Sequence, residues 1–252
     1  MKVTVLGSSG AYPAAGGAAS GYLLELEGFH LALDFGTGAM GNLQRHIEHG
    51  DLDAIVLSHE HMDHCLDLHP LFIARFFAPE RLPALPLWTP PGTFEHIAVL
   101  EDDEGQEMMR GVFDVHESEA GGEFEVGPFR FATRLLPHWV PNSGMRISAN
   151  GDVLCYTGDT GPSPEVEVLA RDADLLIIEA SWQDSDLQSG KQPYHLTARQ
   201  GAEHAKRAGA RRTLLSHFWP GSDRAVSREQ AAEAYDGELL LAAEGLSVEV
   251  GE

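Results

Sequence analysis

The alternation of hydrophobic and polar positions predicts strands early in the chain. Short apolar runs predict strands over Val3–Leu6, Tyr22–Leu26, Phe29–Asp34 and Ala54–Leu57, and the middle two form a hairpin that turns at Glu27-Gly28. Apolar residues at helical spacing predict helices over Gly38–His49 and Leu66–Phe77. Residues 92–122 are acidic and show no clear period, so the pattern predicts no element there.

The rest of the chain shows hairpins followed by alternating strands and helices. Strands are predicted over Leu85–Trp88, Phe124–Val126, Phe129–Leu136, Met145–Ser148, Val153–Tyr156, Leu175–Glu179 and Thr213–Ser216, with turns at Gly127-Pro128 and Asn150-Gly151. An amphipathic helix is predicted over Thr197–Ala208, with Thr197 at or near its N-cap. This order favours an α+β fold in which two β-sheets pack face to face and helices cover them.

Two of the predicted strands end in the same dipeptide. AIVLSHEH at 54–61 and RTLLSHFW at 212–219 are each a buried strand followed by Ser-His. One lies in each half of the chain, so each half delivers a histidine just beyond a sheet edge. The similarity is too short to establish a duplication, but a two-halved fold with a site between its sheets would show it.

Composition limits the expected partners and compartment. The 17 Lys and Arg residues against 39 Asp and Glu residues give a net charge of −22. Nucleic-acid binders gain affinity by neutralising phosphates with a basic surface, so nucleic acid is disfavoured as a partner. No apolar run approaches the roughly 20 residues that span a bilayer, so no membrane association is expected. The two cysteines, Cys65 and Cys155, form no disulfide framework, and the expected location is the cytoplasm.

The stretch SHEHMDH at 58–64 holds three histidines and an aspartate directly after a predicted buried strand. His59 and His61 can project to the same side because alternate residues of an extended chain share a face. Asp63 and His64 follow as the chain turns into the next helix. Imidazole and carboxylate groups are suitable ligands for zinc and similar divalent metals, so this spacing predicts a metal site with one ion or two.

The chain resembles the metallo-β-lactamase superfamily, and HEHMDH at 59–64 matches its histidine motif. The match runs nearly end to end, which implies a single domain over residues 1–252 and a four-layer αβ/βα sandwich. The resemblance implies three further ligands: His138 in LLPHWVPNSGMRI, Asp159 in LCYTGDT and His217 in TLLSHF. It assigns His59, His61 and His138 to one metal and Asp63, His64 and His217 to a second, with Asp159 bridging. It also implies that Asp34, in LALDFGTG, supports the ligands from behind.

Segments around the later ligands look like the phosphodiesterase branch of the superfamily, which includes tRNase Z. VLGSSGAYP, DFGTGAMGNLQRHI and SHEHMDHCLDL are similar to small bacterial members described as cyclic-nucleotide phosphodiesterases. The resemblance implies two divalent metal ions, zinc with manganese or iron as substitutes, and hydrolysis of a small cyclic nucleotide to a nucleoside monophosphate. Relatives are often dimers, so a homodimer is a further expectation.

Four residues are expected to act on the substrate. His195, in PYHLTARQGAEHA, is the candidate general acid for the leaving ribose oxygen, because a histidine pKa near 6.5 suits proton donation at neutral pH. Asp63 is expected to orient the nucleophile in addition to ligating. Ser143 and Arg146 are candidate contacts to the substrate phosphate, with a solvent-facing strand position as the alternative for Arg146.

Three alternatives remain open at the level of sequence. A tRNase Z-like RNA 3′-processing enzyme would need an arginine patch, for which Arg75, Arg81 and Arg110 are candidates, although no long Gly/Pro-rich arm is visible. A cyclic phosphodiester hydrolase of phosphonate breakdown would carry an additional cysteine-bearing zinc site near its start, which GSSGAYPAAGGAAS at 7–20 lacks. The third alternative, from another class, is a non-catalytic metal-bound sensor or scaffold.

Overall fold

The computed structural model describes residues 1–188 and 194–251, which form two mixed β-sheets of seven strands each. The first sheet contains β1 (Lys2–Gly7), β2 (Gly21–Leu26), β3 (Phe29–Phe35), β4 (Ala54–Val56), β5 (Leu85–Thr89), β6 (Phe113–Glu117) and β14 (Ser247–Glu249). The second contains β7 (Glu123–Val126), β8 (Phe129–Leu136), β9 (Asn142–Ala149), β10 (Asp152–Tyr156), β11 (Leu175–Glu179), β12 (Arg212–Ser216) and β13 (Glu238–Leu241).

The two sheets have the same strand arrangement, with an antiparallel part and a parallel part in each. The first runs β14-β1-β2-β3-β4-β5-β6, antiparallel as far as β3 and parallel from there to β6. The second runs β13-β12-β11-β10-β9-β8-β7, parallel from β13 to β10 and antiparallel to β7. The strands with the repeated Ser-His ending, β4 and β12, lie in parallel parts of different sheets. Each therefore delivers its histidine at the carboxyl end of a parallel strand.

Helices in the described residues occupy the connections between strands. They are α1 (Ala39–Leu43), α2 (Met62–Cys65), α3 (Leu68–Phe76), α4 (Thr93–Ala98), α5 (Asp103–Val112), α6 (Pro164–Leu169), α7 (Asp184–Gln188), α8 (Ala198–Ala208) and α9 (Arg224–Ala232). The predicted N-cap of α8 is confirmed, because Thr197 and Gln200 form a reciprocal capping box. None of the helices in this part of the chain is long and apolar enough to cross a membrane.

Alternation of side chains along the strands produces three apolar layers. Tyr22 and Leu24 on β2 point between the sheets, where they pack with residues of the second sheet such as Phe131 and Tyr156. Leu23 points outward against α1, α3, α4 and α5. The outer face of the second sheet packs against α6, α8 and α9 in the same way. The predicted sandwich of two sheets with helices outside is confirmed.

Several elements differ from the sequence prediction. The helix predicted over Gly38–His49 ends as α1 at Leu43, because the following N–H groups of Arg45 and His46 bond three residues back, as in a 3₁₀ turn. Residues 92–122, for which the sequence pattern predicts no element, contain α4, α5 and β6. The pattern gives no clear signal for α5 because its fully buried face is small, consisting of Gly105, Met109 and Val112, and Asp, Glu, Gln and Arg occupy most of its other positions.

Candidate metal centre and active-site cavity

The predicted ligands converge at one edge of the sandwich. His59 and His61 follow β4, Asp63 and His64 lie in α2, and His138, Asp159 and His217 follow β8, β10 and β12. Ligand atoms of these seven residues form two groups, within which all atoms lie within 4.8 Å of one another: His59, His61, His138 and Asp159 in one, and Asp63, His64 and His217 in the other. The structure thus brings together residues separated by up to 158 positions along the chain.

In the first group, three ring nitrogens face one another. Nδ1 of His61 lies 3.1 Å from Nε2 of His59 and 3.0 Å from Nε2 of His138. Nitrogens bound to one tetrahedral zinc at about 2.0–2.1 Å are separated by roughly 3.3–3.4 Å, which is close to this spacing. Their convergence is well suited to a shared cation, toward which all three lone pairs can be directed.

Asp159 lies between the two groups. Its Oδ2 is 3.8 Å from Nε2 of His59 and 3.7 Å from Nε2 of His138. Its Oδ1 is 3.2 Å from Nε2 of both His64 and His217, on the side of the second group. One carboxylate therefore turns a different oxygen toward each group, which is the geometry of a bridging ligand.

The second group also includes Asp63. Its Oδ2 lies 3.2 Å from Nε2 of His217 and 3.6 Å from Nε2 of His64, and it accepts a hydrogen bond from the backbone of Ala11 at 2.6 Å. Within the described part of the chain, the buried atoms His64 Nε2 and Asp159 Oδ1 have no hydrogen-bond partner. Unpaired buried polar atoms are costly, so these facing atoms fit a cation that would bind both.

Hydrogen bonds behind the cluster determine which ring nitrogen of each histidine faces it. The Nδ1–H groups of four histidines donate away from the cluster: His59 to Ser58 Oγ, His64 to Asp34, His138 to the Tyr194 carbonyl and His217 to Ser181 Oγ. Ser58 and Ser181 can accept these protons because their own hydroxyls donate to Asp34 and Glu179. Nε2 of each ring is then left with its lone pair toward the cluster, as a metal ligand requires.

Asp34 occupies the supporting position that the resemblance implied. Besides His64, it accepts from the backbone and hydroxyl of Ser58 and from the Tyr156 hydroxyl, at 2.6–2.7 Å. Asp34 and His217 both have left-handed backbone conformations, with φ of 54° and 55°. Such conformations are strained for residues other than glycine and persist where surrounding contacts enforce them.

Protonation of the cluster follows from burial and charge. Burial lowers the pKa of His59, His61 and His138, which keeps these rings neutral at neutral pH. Burial would also lower the pKa of His64, but the carboxylates of Asp159, Asp63 and Asp34 outweigh it and raise this pKa well above its usual range. A cation bound beside His64 would take the place of that proton.

His195 lies next to the cluster and is held by Glu179. Its Nδ1–H donates to the Glu179 carboxylate at 3.1–3.2 Å, and Nδ1 is 3.9 Å from Oδ2 of Asp159. Burial alone would lower the pKa of His195, but the nearby carboxylates, Glu179 first among them, raise it to about 9. These carboxylates therefore favour the protonated ring.

Glu179 was not identified from the sequence. This buried carboxylate at the end of β11 accepts from the Thr160 and Leu196 N–H groups, the Ser181 hydroxyl and His195. Glu179 thus contacts the loop that carries Asp159, the Ser181 hydroxyl that supports His217, and the candidate acid His195. A glutamate ending the otherwise apolar run Leu175–Glu179, at the sheet edge shared with the ligands, was the available signal.

The cluster forms one end of a cavity of about 460 Å³. Its described lining is formed by Ala11, His61, Met62, Asp63, Trp139, Asp159, Ser181, Trp182, His195, His217 and Trp219. The ionisable side chains gather at the cluster, and large apolar side chains form the rest. Within this described lining there is no lysine or arginine.

The structure does not bring Ser143 and Arg146 to this cavity. Ser143 is buried in β9, and its N–H donates to the Ser58 carbonyl, so it braces the histidine segment. Arg146 donates to the backbone carbonyls of Leu169 and Arg171 beside α6. Both residues have structural contacts, and neither is part of the described cavity lining.

A two-sheet sandwich with a histidine- and aspartate-rich cluster at its edge defines the class of metallo-β-lactamase-like proteins. The model of the beta-lactamase superfamily domain matches residues 32–218, about three quarters of the chain, and this range includes every residue of the cluster. The chain belongs to this superfamily.

Individual relatives extend the match to nearly the whole chain. An uncharacterized protein of Mycobacterium tuberculosis is 35% identical over 244 residues, covering 94% of this chain and 88% of the relative. The probable metallo-hydrolase YhfI of Bacillus subtilis is 29% identical over 252 residues, covering 97% and 98%, and its crystal structure superimposes with a TM-score of 0.88 over 98% and 99% of the two chains. The ribonuclease Z of Haloferax volcanii is 29% identical over 304 aligned positions, covering 99% and 95%.

Proposed function

We propose that this metal-dependent hydrolase binds two divalent cations and cleaves a small cyclic nucleotide, converting a 3′,5′-cyclic phosphodiester to a nucleoside monophosphate. The observation that carries the proposal is the position of Asp159. Its two oxygens face two separate groups of ligand atoms, and His195 stands beside them on the wall of the same cavity.

The number of ligands supports two cations. A structural zinc takes four ligands and a catalytic zinc usually three, whereas seven candidate groups converge here. Nitrogen and oxygen donors suit zinc, and manganese or iron are the expected substitutes. When bound, such cations supply Lewis acidity toward the phosphate and make water a stronger nucleophile near neutral pH.

Two side chains, Asp63 and His195, would perform the remaining steps of the reaction. Asp63 is fixed by the Ala11 N–H and lines the cavity, so it can orient the attacking water as well as bind a cation. Cleavage of the ring leaves a ribose oxygen that needs a proton. Because His195 donates its Nδ1–H to Glu179, the proton that it can transfer lies on Nε2 of a ring that lines the cavity.

The cavity favours a small substrate. Ligand sites of about 300–1,000 Å³ enclose drug-sized molecules, and a mononucleotide fits the lower part of that range. The net charge of −22 opposes long-range attraction of a polyanion, whereas one phosphate can be held by cations at a single point.

Removal of a tRNA 3′ trailer is the second candidate, favoured by the ribonuclease Z relative. That alignment runs over 304 positions, and because this chain has 252 residues, about 50 of them have no counterpart here. Two arginines of the suggested basic patch are also engaged elsewhere. Arg75 is buried and donates to the carbonyls of His49 and Pro83, and Arg110 pairs with Glu95. These observations favour the small substrate.

A substrate screen tests the proposal. Purified chain would be assayed against cyclic mononucleotides, cyclic dinucleotides and a precursor tRNA at moderate salt, with metal content measured on the same preparation. The proposal expects turnover of a cyclic mononucleotide that chelation abolishes, and shallow, nearly sequence-blind binding of RNA. Efficient and specific trailer removal would promote the second candidate, and absence of turnover with full metal occupancy would favour a sensor or scaffold.

A further inference from the structure

Large apolar side chains line the part of the cavity that the cluster does not form. We call Met62, Trp139, Trp182 and Trp219 the apolar wall. Trp182 and Trp219 pack together with ring centroids 4.9 Å apart, and Tyr12 meets Trp219 edge-on at 5.9 Å. Trp139 and Trp182 also meet the His195 ring edge-on, at 6.2 and 5.8 Å. The apolar wall is therefore in direct contact with the candidate acid, His195.

Packing of the protein core does not explain why part of the apolar wall is exposed to solvent. Trp139 is 60% exposed and Met62 is 58% exposed, although both are large apolar residues. Contiguous apolar surface beside a polar centre is typical of a binding site. The exposed indole of Trp139 offers a ring face that a flat ligand could cover.

The chemistry of the lining divides the cavity into two unlike ends. His61, Asp63, Asp159, Ser181, His195 and His217 form the polar end, where they are cluster members or close neighbours. In the described lining, the remaining side chains are Ala11 and the apolar wall. A matching ligand must therefore carry an anionic group at one end and a flat, apolar group at the other.

From this division we infer that the apolar wall binds the nucleobase by stacking, chiefly on Trp139, and does not read its hydrogen-bonding edges. This inference rests on the proposed function for the phosphate end of the ligand. Stacking on aromatic side chains tolerates any base, because every base presents a π-face. The site should thus demand an aromatic group while discriminating weakly between adenine and guanine.

Binding of product-like ligands tests the inference independently of turnover. AMP, GMP and ribose 5-phosphate would be titrated into the metal-loaded chain by calorimetry, because AMP and ribose 5-phosphate differ only by the base. AMP should bind roughly 5- to 100-fold more tightly than ribose 5-phosphate. AMP and GMP should agree within about fivefold, since a site that reads hydrogen-bonding edges would discriminate far more strongly.

Substitution of Trp139 identifies the residue responsible. Trp139→Ala should remove most of the advantage of AMP over ribose 5-phosphate, and Trp139→Phe should keep most of it. Phe77→Ala is the matched control, because Phe77 is 72% exposed and does not line the cavity. This control should leave all three affinities unchanged.

Three results would overturn the inference: equal affinities for AMP and ribose 5-phosphate, an advantage of AMP that survives in Trp139→Ala, or affinities for AMP and GMP that differ by far more than fivefold. Failure of the proposed function has a different signature. In that case no cyclic nucleotide is hydrolysed, while the ratio of the AMP and ribose 5-phosphate affinities still reports on the wall.

Discussion

The Tyr156 hydroxyl donates to the Asp34 carboxylate at 2.6 Å across the interface between the two sheets. Tyr156 belongs to the second sheet and Asp34 to the first. The reverse connection lies beside it, because Tyr22 of the first sheet donates to Ser216 of the second at 2.6 Å. The two tyrosine rings are in edge-on contact at 5.2 Å. The buried hydroxyls of Tyr156 and Tyr22 thus connect the two sheets by hydrogen bonds beneath the cluster.

Tyr156→Phe and Tyr22→Phe form a matched pair that measures these connections. Tyr156→Phe should lower the free energy of unfolding by about 2–3 kcal/mol, because it removes a donor from a buried carboxylate. Tyr22→Phe should cost about 1 kcal/mol, because its partner is a neutral hydroxyl. Urea unfolding of both variants and the parent checks this. Equal losses would contradict the importance given to the Asp34 bond.

Asp159→Ala should reduce the occupancy of both metal groups, because its two oxygens face different groups. We expect two equivalents of metal in the parent and well under one in the variant, measured by elemental analysis after identical purification. Asp53→Ala is the control, since Asp53 is an exposed carboxylate whose contacts lie at His30. A variant that retained two equivalents would exclude the bridging role.

His195→Ala should keep its metal and its fold, because His195 is proposed to be a proton donor and not a ligand. The chemical step on a cyclic nucleotide should slow by roughly 10²- to 10⁴-fold. A p-nitrophenyl ester should be affected much less, since nitrophenolate leaves without a proton. Comparison of the two substrates by single-turnover kinetics checks this, with His46→Ala as an exposed-histidine control.

Equal losses on both substrates would assign His195 to binding. Loss of metal in His195→Ala would instead make it a ligand, since its ligand atom lies within 4.8 Å of those of Asp159 and His217.

Gly10→Ala should disturb the second metal group selectively. A Cβ at Gly10 would lie 2.6 Å from Nδ1 and Cε1 of His217, whose ring is held by Ser181. We expect reduced metal occupancy and a loss of about 1–3 kcal/mol in the free energy of unfolding. Gly41→Ala is the control, because nothing lies within 4 Å of its added Cβ. In the helix α1 it should stabilise by about 0.5–1 kcal/mol. Equal metal content in the two variants would contradict the expected clash between the added Cβ of Gly10→Ala and the His217 ring.

The sequence by itself determined the strands other than β6, β13 and β14, and the histidines that follow two of them. Apolar alternation located the hairpin of β2 and β3, and the turn at Asn150-Gly151 follows because both residues adopt positive φ there. The repeated Ser-His ending placed a histidine at one strand end in each sheet. These features depend on neighbours within a few residues, which local patterns record.

Only the tertiary structure decided which side chains share a space. Arg146 lies in a predicted strand and still bonds to carbonyls beside α6, away from the cavity. Glu179 holds His195 and Trp139 lines the cavity, although the sequence pattern predicts neither role. The elements of residues 92–122 also emerged only there, since α5 buries a narrow face. The physical reason is that facing and burial depend on how separate segments pack against one another, and no local period encodes that packing.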